Sequence, residues 1–185
     1  METDEHLLTR SIREPEAFEL LVVRHAGALH GYLARRAPRA ADDLLAEVWL
    51  QAFTGRGTYD AARGTLRTWL FGVARNVLAA HWRRAELDGR ALPPDEESSD
   101  PWRAVDQRLD AAAVAPLIRD TLAGLPHVER ELLLLVAWEQ LTPSEAAAVV
   151  GIPAGTARSR LHRARTRLRT ALGSAPSLPL TGDLV

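Results

Sequence analysis

The sequence predicts an all-α protein of two small helical domains joined by a flexible acidic linker. Three observations carry that expectation. Apolar residues recur at three- and four-residue spacing in both halves of the chain, and no stretch alternates over strand length. Prolines, serines and carboxylates concentrate in residues 89–101, GRALPPDEESSDP, which offer almost nothing to bury. The 185 residues suffice for one domain or two small ones, and this segment leaves blocks of about 85 and 60 residues, each near the lower limit for an independent core. The expected division is a domain over 10–86, a linker over 87–111, a second domain over 112–173 and a flexible tail over 174–185.

Each helix is justified by its own pattern. Phe18, Leu21, Val22, His25, Leu29, Tyr32 and Leu33 form one stripe that ends by Pro38. Residues 42–53 form a second helix with Leu44, Leu45, Val48, Trp49 and Ala52 inward. After a loop over 55–64, Thr65 can cap a long helix whose buried line is Leu66, Trp69, Leu70, Val73, Val77 and Leu78. Trp49, Trp69 and Trp138 are expected in the core. In the second block a lead helix runs over 112–122, and Pro126 opens the next, which reaches about Trp138. Thr142-Pro143-Ser144-Glu145 combines a cap, a proline at the first helical position and a glutamate three residues after the threonine. That helix runs to Val150, Gly151-Ile152-Pro153 makes a turn, and a last helix spans 154–172.

The net charge of −1 hides strong segregation. Residues 154–172 hold six arginines and no carboxylate, and residues 63–84 hold five arginines and none. Residues 1–19 and 86–110 are acidic. Such a chain can present one surface to a polyanion and another to a basic partner. With no cysteine, disulfides and thiolate metal sites or nucleophiles are excluded. No run reaches the roughly 18 apolar residues of a membrane span, and the acidic start is unlike a secretory signal, so a cytoplasmic location without membrane insertion is expected. His127-Val128-Glu129-Arg130-Glu131 lacks the HExxH spacing, Gly55-Arg56-Gly57 is too short for a phosphate loop, and the six histidines are dispersed. Neither enzyme chemistry, a cofactor nor a metal is expected.

A short helix, a glycine turn and an arginine-rich helix give the length pattern of a helix-turn-helix. On the last helix Ala157, Leu161, Ala164 and Leu168 form the buried line. Thr156, Arg158, Ser159, Arg160, His162, Arg163, Arg165 and Arg167 fall off it, a set able to bond phosphates and guanine edges in a major groove. A solvated basic helix is the bland alternative, but such helices intersperse carboxylates at i,i+4 and this one has none.

Here the chain resembles a known family. Leu141-Thr142-Pro143-Ser144-Glu145-Ala146-Ala147 and the run from Gly151 to Arg165, GIPAGTARSRLHRAR, are similar to region 4 of bacterial extracytoplasmic-function (ECF) sigma factors. Asp42-Asp43-Leu44-Leu45-Ala46-Glu47-Val48-Trp49 resembles the DLxxEVF motif of sigma region 2, and Thr68-Trp69-Leu70-Phe71-Gly72-Val73-Ala74-Arg75-Asn76 its WLxxIARN motif. The three motifs stand in family order, and the resemblance covers about residues 14–172.

The resemblance implies a sigma factor that binds core RNA polymerase and directs promoter-specific initiation. Region 4 would read the −35 duplex and contact the β flap. Asp43, Glu47, Leu50 and Gln51, off the apolar stripe of their helix, would dock on the clamp helices of the β′ subunit. Ala46 stands where family members often carry glutamine. Tyr59, Arg75, Asn76 and Arg83 would hold unpaired −10 DNA, by stacking, base-edge contact and phosphate contact. Promoter DNA and an anti-sigma factor are the other partners implied. A stand-alone helix-turn-helix transcriptional regulator, with the N-terminal block as a dimerisation or sensing module, is the alternative from another class.

Overall fold

The computed structural model describes residues 2–87 and 115–173, which form eight α-helices with no strand among them. The expected linker core, the first three residues of the lead helix and the tail lie outside the described residues. The N-terminal block consists of α1 (Asp4–Arg10), α2 (Ala17–Ala34), α3 (Ala41–Gly55) and α4 (Leu66–Leu87), with two short 3-10 turns, Arg56–Thr58 and Ala61–Arg63, between α3 and α4. The C-terminal block consists of α5 (Ala115–Ala123), α6 (His127–Ala137), α7 (Pro143–Val150) and α8 (Ala154–Gly173).

The sequence reading contained no α1, whose seven residues are too few to show a period. It holds by other means. The Thr3 side chain accepts from the His6 N–H at 3.3 Å, Leu7 and Leu8 are buried, and Asp4 meets Arg24 and His25 of α2 at 2.7 Å each. Burial alone would raise the Asp4 pKa, but the bonds from Arg24 and His25 outweigh it and hold the carboxyl below its ordinary value.

The stripe read on α2 is the buried one, with Val22 half-buried. Phe18 sets its ring edge-on to Trp49 at 6.0 Å and to Phe53 at 5.3 Å. On α4 the expected line needs correction. Leu66, Leu70, Val77 and Leu78 are buried as expected, but Thr68, Phe71 and Ala74 join them, while Trp69 and Val73 are half-buried. The reason is that α4 packs against α7 as well as α2 and α3, so its covered face is rotated and broader than a single stripe. Trp49 and Trp138 are likewise half-buried rather than core.

The two blocks share their main core, while a smaller cluster of Leu122, Leu125 and Ala164 stays within the C-terminal block. One apolar cluster runs from Leu7 and Leu29 through Phe71 to Leu135, Ala146 and Leu161. Blocks of this size bury a smaller share of their surface alone than larger domains do, and sharing one core relieves that. A polar seam lines the junction. Tyr32 donates to Glu131 Oε1 at 3.1 Å, Arg36 pairs with Glu131 at 3.3 Å and lies 3.9 Å over the Tyr32 ring, and Arg35 pairs with Glu139. Arg67 donates to the Glu139 carbonyl at 2.7 Å, in a turn where Gln140 takes a positive φ of 53°. Burial, reinforced by Glu131, pushes the Tyr32 hydroxyl far above its ordinary pKa. Burial opposes the charge on Arg36, but Glu131 and the neighbouring acceptors more than compensate and raise its pKa.

Candidate nucleic-acid interface

The helix-turn-helix is locked at both joints. Thr142 Oγ1 accepts from the Glu145 N–H at 3.2 Å while Glu145 Oε2 accepts from the Thr142 N–H at 2.8 Å, completing the expected capping box, with Pro143 opening α7. Thr65, just before α4, donates to the other Glu145 oxygen at 3.1 Å. Burial raises the Glu145 pKa, yet these bonds from Thr142 and Thr65 win and leave it lowered. At the far end Gly151 takes the left-handed conformation, φ 80° and ψ 37°, and the N–H groups of Gly151 and Ile152 both bond the Ala147 carbonyl at 2.9 and 3.0 Å. This turn sets the angle at which α8 leaves.

On α8, Ala157, Leu161 and Ala164 are buried and Leu168 is half-buried. Arg158, Ser159, His162, Arg163, Arg165 and Arg167 are exposed, and Thr156 and Arg160 are half-exposed. All eight therefore lie off the buried line, flanking it on both sides. They are not equivalent, however. Arg163 Nε and Arg167 Nη1 each contact a different oxygen of Glu129 at 3.3 Å, so these two arginines have a carboxylate partner. No carboxylate on α8 itself foretold this, because Glu129 is 34 residues from Arg163 in sequence.

In the N-terminal block Asn76 and Arg83 are exposed on α4, whereas Arg75 is half-buried and near enough to Tyr32 that its charge acts on that hydroxyl. Tyr59 is half-buried. Its hydroxyl donates to the Gly64 carbonyl at 3.0 Å and its ring meets Trp69 edge-on at 5.9 Å. Burial, followed by Glu5, Asp4 and Asp60, raises its pKa, so the ring stays neutral. The structure thus places Tyr59 at the foot of α4, held at its hydroxyl end. Asn76 and Arg83 share that helix with the half-buried Arg75.

A separate face lies on α3. Asp43, Ala46, Leu50 and Gln51 are exposed, with Leu50 at 63%, and Gln51 donates to Glu47 at 2.7 Å. An apolar groove lined by Pro15, Phe18, Val22 and Phe53, with Glu16 and Glu19 also in its walls, opens between α2 and α3. Leu20 and Val23 on α2 are also exposed. The sequence reading passed over these two, although both fall off the α2 stripe. Among the described residues no three His, Asp or Glu are gathered to hold a metal ion, and no helix is long and apolar enough to cross a membrane.

An arginine-faced helix on a locked helix-turn-helix, together with an exposed acidic and apolar face in a second block, fits a DNA-binding protein that works with a protein partner. Comparison with known proteins specifies which. Residues 21–87 match the family model for sigma-70 region 2, and residues 116–168 that for sigma-70 region 4. The chain is 37% identical over 145 residues to the ECF RNA polymerase sigma factor SigC of Mycobacterium tuberculosis, covering 77% of this chain and 74% of that protein. It is 32% identical over 182 residues to the ECF sigma factor RpoE of Cereibacter sphaeroides, covering 90% and 94%. Its fold is similar to that of CnrH solved in complex with the cytosolic domain of CnrY, with a TM-score of 0.65 at 25% identity over 95% of this chain and 100% of that one. RpoE of Bartonella quintana, solved with the anti-sigma factor NepR, shares the fold at a TM-score of 0.58 and 21% identity, covering 85% and 97%.

The chain belongs to the sigma-70 family, in its extracytoplasmic-function branch. It is a sigma factor, a partner of core RNA polymerase and promoter DNA that directs promoter-specific initiation. The family is not known as enzymatic.

Proposed function

We propose a division of labour among the named residues. Region 4 sets α8 in the major groove of the −35 element, with Arg158, Arg160 and Arg165 as its principal arginines and Thr156, Ser159 and His162 as short-range donors and acceptors. Asp43, Glu47, Leu50 and Gln51 dock on the β′ clamp helices. Tyr59, Arg75, Asn76 and Arg83 receive unpaired −10 DNA. The protein acts in the cytoplasm, where its polymerase partner works, and an anti-sigma factor competes for the same α2–α3 face. The observation that carries this reading is that one chain presents both an exposed arginine row on α8 and an exposed leucine among carboxylates on α3.

Reading both elements requires the seam between the blocks to open. The −35 and −10 elements lie roughly 25 base pairs apart, about 85 Å at 3.4 Å per step. A compact chain of 185 residues has a radius of gyration of about 16 Å. The docked arrangement therefore cannot reach both at once.

Capture of −10 bases is tested by Tyr59→Ala and Asn76→Ala holoenzymes. Core binding and −35 binding should persist while open-complex formation, read by permanganate reactivity of −10 thymines, falls. Stacking of this kind is worth about 1–3 kcal/mol per base. Normal reactivity in both variants would return the two residues to a structural role.

A further inference from the structure

The six arginines of α8 fall into two rows with the same spacing. One is Arg158, Arg165 and Arg169 with His162, and the other is Arg160, Arg163 and Arg167 with Thr156. Each runs i, i+4, i+7, i+11 along one side of the buried line. Among the described residues only the second row meets a carboxylate. Glu129, in the first turn of α6, is 6% exposed, and each of its oxygens accepts from one arginine of that row. Arg158, Arg165 and Arg169 have no carboxylate partner among the described residues.

A carboxylate this buried needs its cations, because an unpaired charge in a protein interior is expensive. Arg163 spends its Nε on Glu129 and Arg167 one terminal nitrogen, while both side chains stay about half exposed. They are tethered without being hidden. Left free, each would take a phosphate on any duplex, a contact that adds affinity without sequence information.

We propose that Glu129 is a positioning residue for promoter recognition: by holding Arg163 and Arg167 it withholds these two arginines from non-specific phosphate capture and leaves Arg160 and the Arg158 row to face the DNA. This rests on the reading of α8 as the −35 helix.

The test is the salt dependence of binding by reconstituted holoenzyme to a duplex bearing the −35 element and to a scrambled duplex. Glu129→Gln should steepen the slope of log K against log salt by about 0.9 for each arginine released, up to two. It should tighten scrambled-duplex binding several-fold at low salt and so lower the specificity ratio. Arg163→Gln and Arg167→Gln should leave the slope near wild type, whereas Arg165→Gln should flatten it by about 0.9. These three arginine variants carry the test if Glu129→Gln lowers helical content. Flattening by Arg163→Gln and Arg167→Gln equal to that of Arg165→Gln would overturn the proposal, as would a folded Glu129→Gln variant with unchanged slope and ratio. A wild-type holoenzyme blind to the difference between the two duplexes would overturn the −35 reading itself.

Discussion

Arg158 and Arg160 stand in the first two turns of α8, where a recognition helix meets base edges. Arg158→Ala and Arg160→Ala should each cost about 1–3 kcal/mol of −35 binding and relax preference at one base position, checked by competition between single-substituted promoters. On the other face, Leu50 is exposed on the helix that carries Asp43 and Glu47, so its removal takes nothing from the core. Leu50→Glu should keep its helical content and Tm but lose core polymerase in a pull-down. A fall in Tm would mean that Leu50 is part of the packing. Both arginines and Leu50 were legible in the sequence, because a 3.6-residue period says which side chains leave the buried line. The partners of Arg163, Arg167 and Tyr59 were not. Glu129 and Gly64 reach them through the tertiary fold and a loop, and no local pattern encodes either contact.

At the level of elements, the joints of the helix-turn-helix were the most legible features, since a capping box and a left-handed glycine each need particular residue types at fixed offsets. The first helix escaped because two leucines define no period, and the buried face of α4 was misjudged because a second block covers part of it. The capping box gives a signed pH dependence. The Glu145 pKa is lowered on folding, so its contribution is fully present above the ordinary value of 4.5 and is lost as pH falls through the folded value. Glutamine can still close the box, so Glu145→Gln should show a shallower loss of Tm between pH 5 and about 3 than wild type. Thr142→Ala removes the cap at every pH and should cost about 1 kcal/mol, read by denaturant unfolding.

For the whole molecule, the sequence indicated two helical blocks and their order but not that they share one core. The seam pairs residues about 100 positions apart, such as Tyr32 with Glu131 and Arg35 with Glu139, and charge patterning cannot show which acid meets which arginine. The seam makes opening measurable. Because the chain has no cysteine, Gly27→Cys and Thr166→Cys, both at exposed positions on α2 and α8, can carry a donor and acceptor dye alone. Energy transfer should be high in the free protein and drop when core polymerase and promoter DNA are added; constant transfer would mean that the docked form is the working form. The claim on which everything else depends is that this chain gives core RNA polymerase its promoter. Run-off transcription on a pool of promoter fragments tests it most directly. Core polymerase alone should start nowhere in particular, and with this protein it should yield discrete transcripts from a subset that shares a −35 and a −10 element, while Leu50→Glu restores the core-alone pattern. Sequence-specific duplex binding without polymerase, together with no discrete transcripts in its presence, would contradict it.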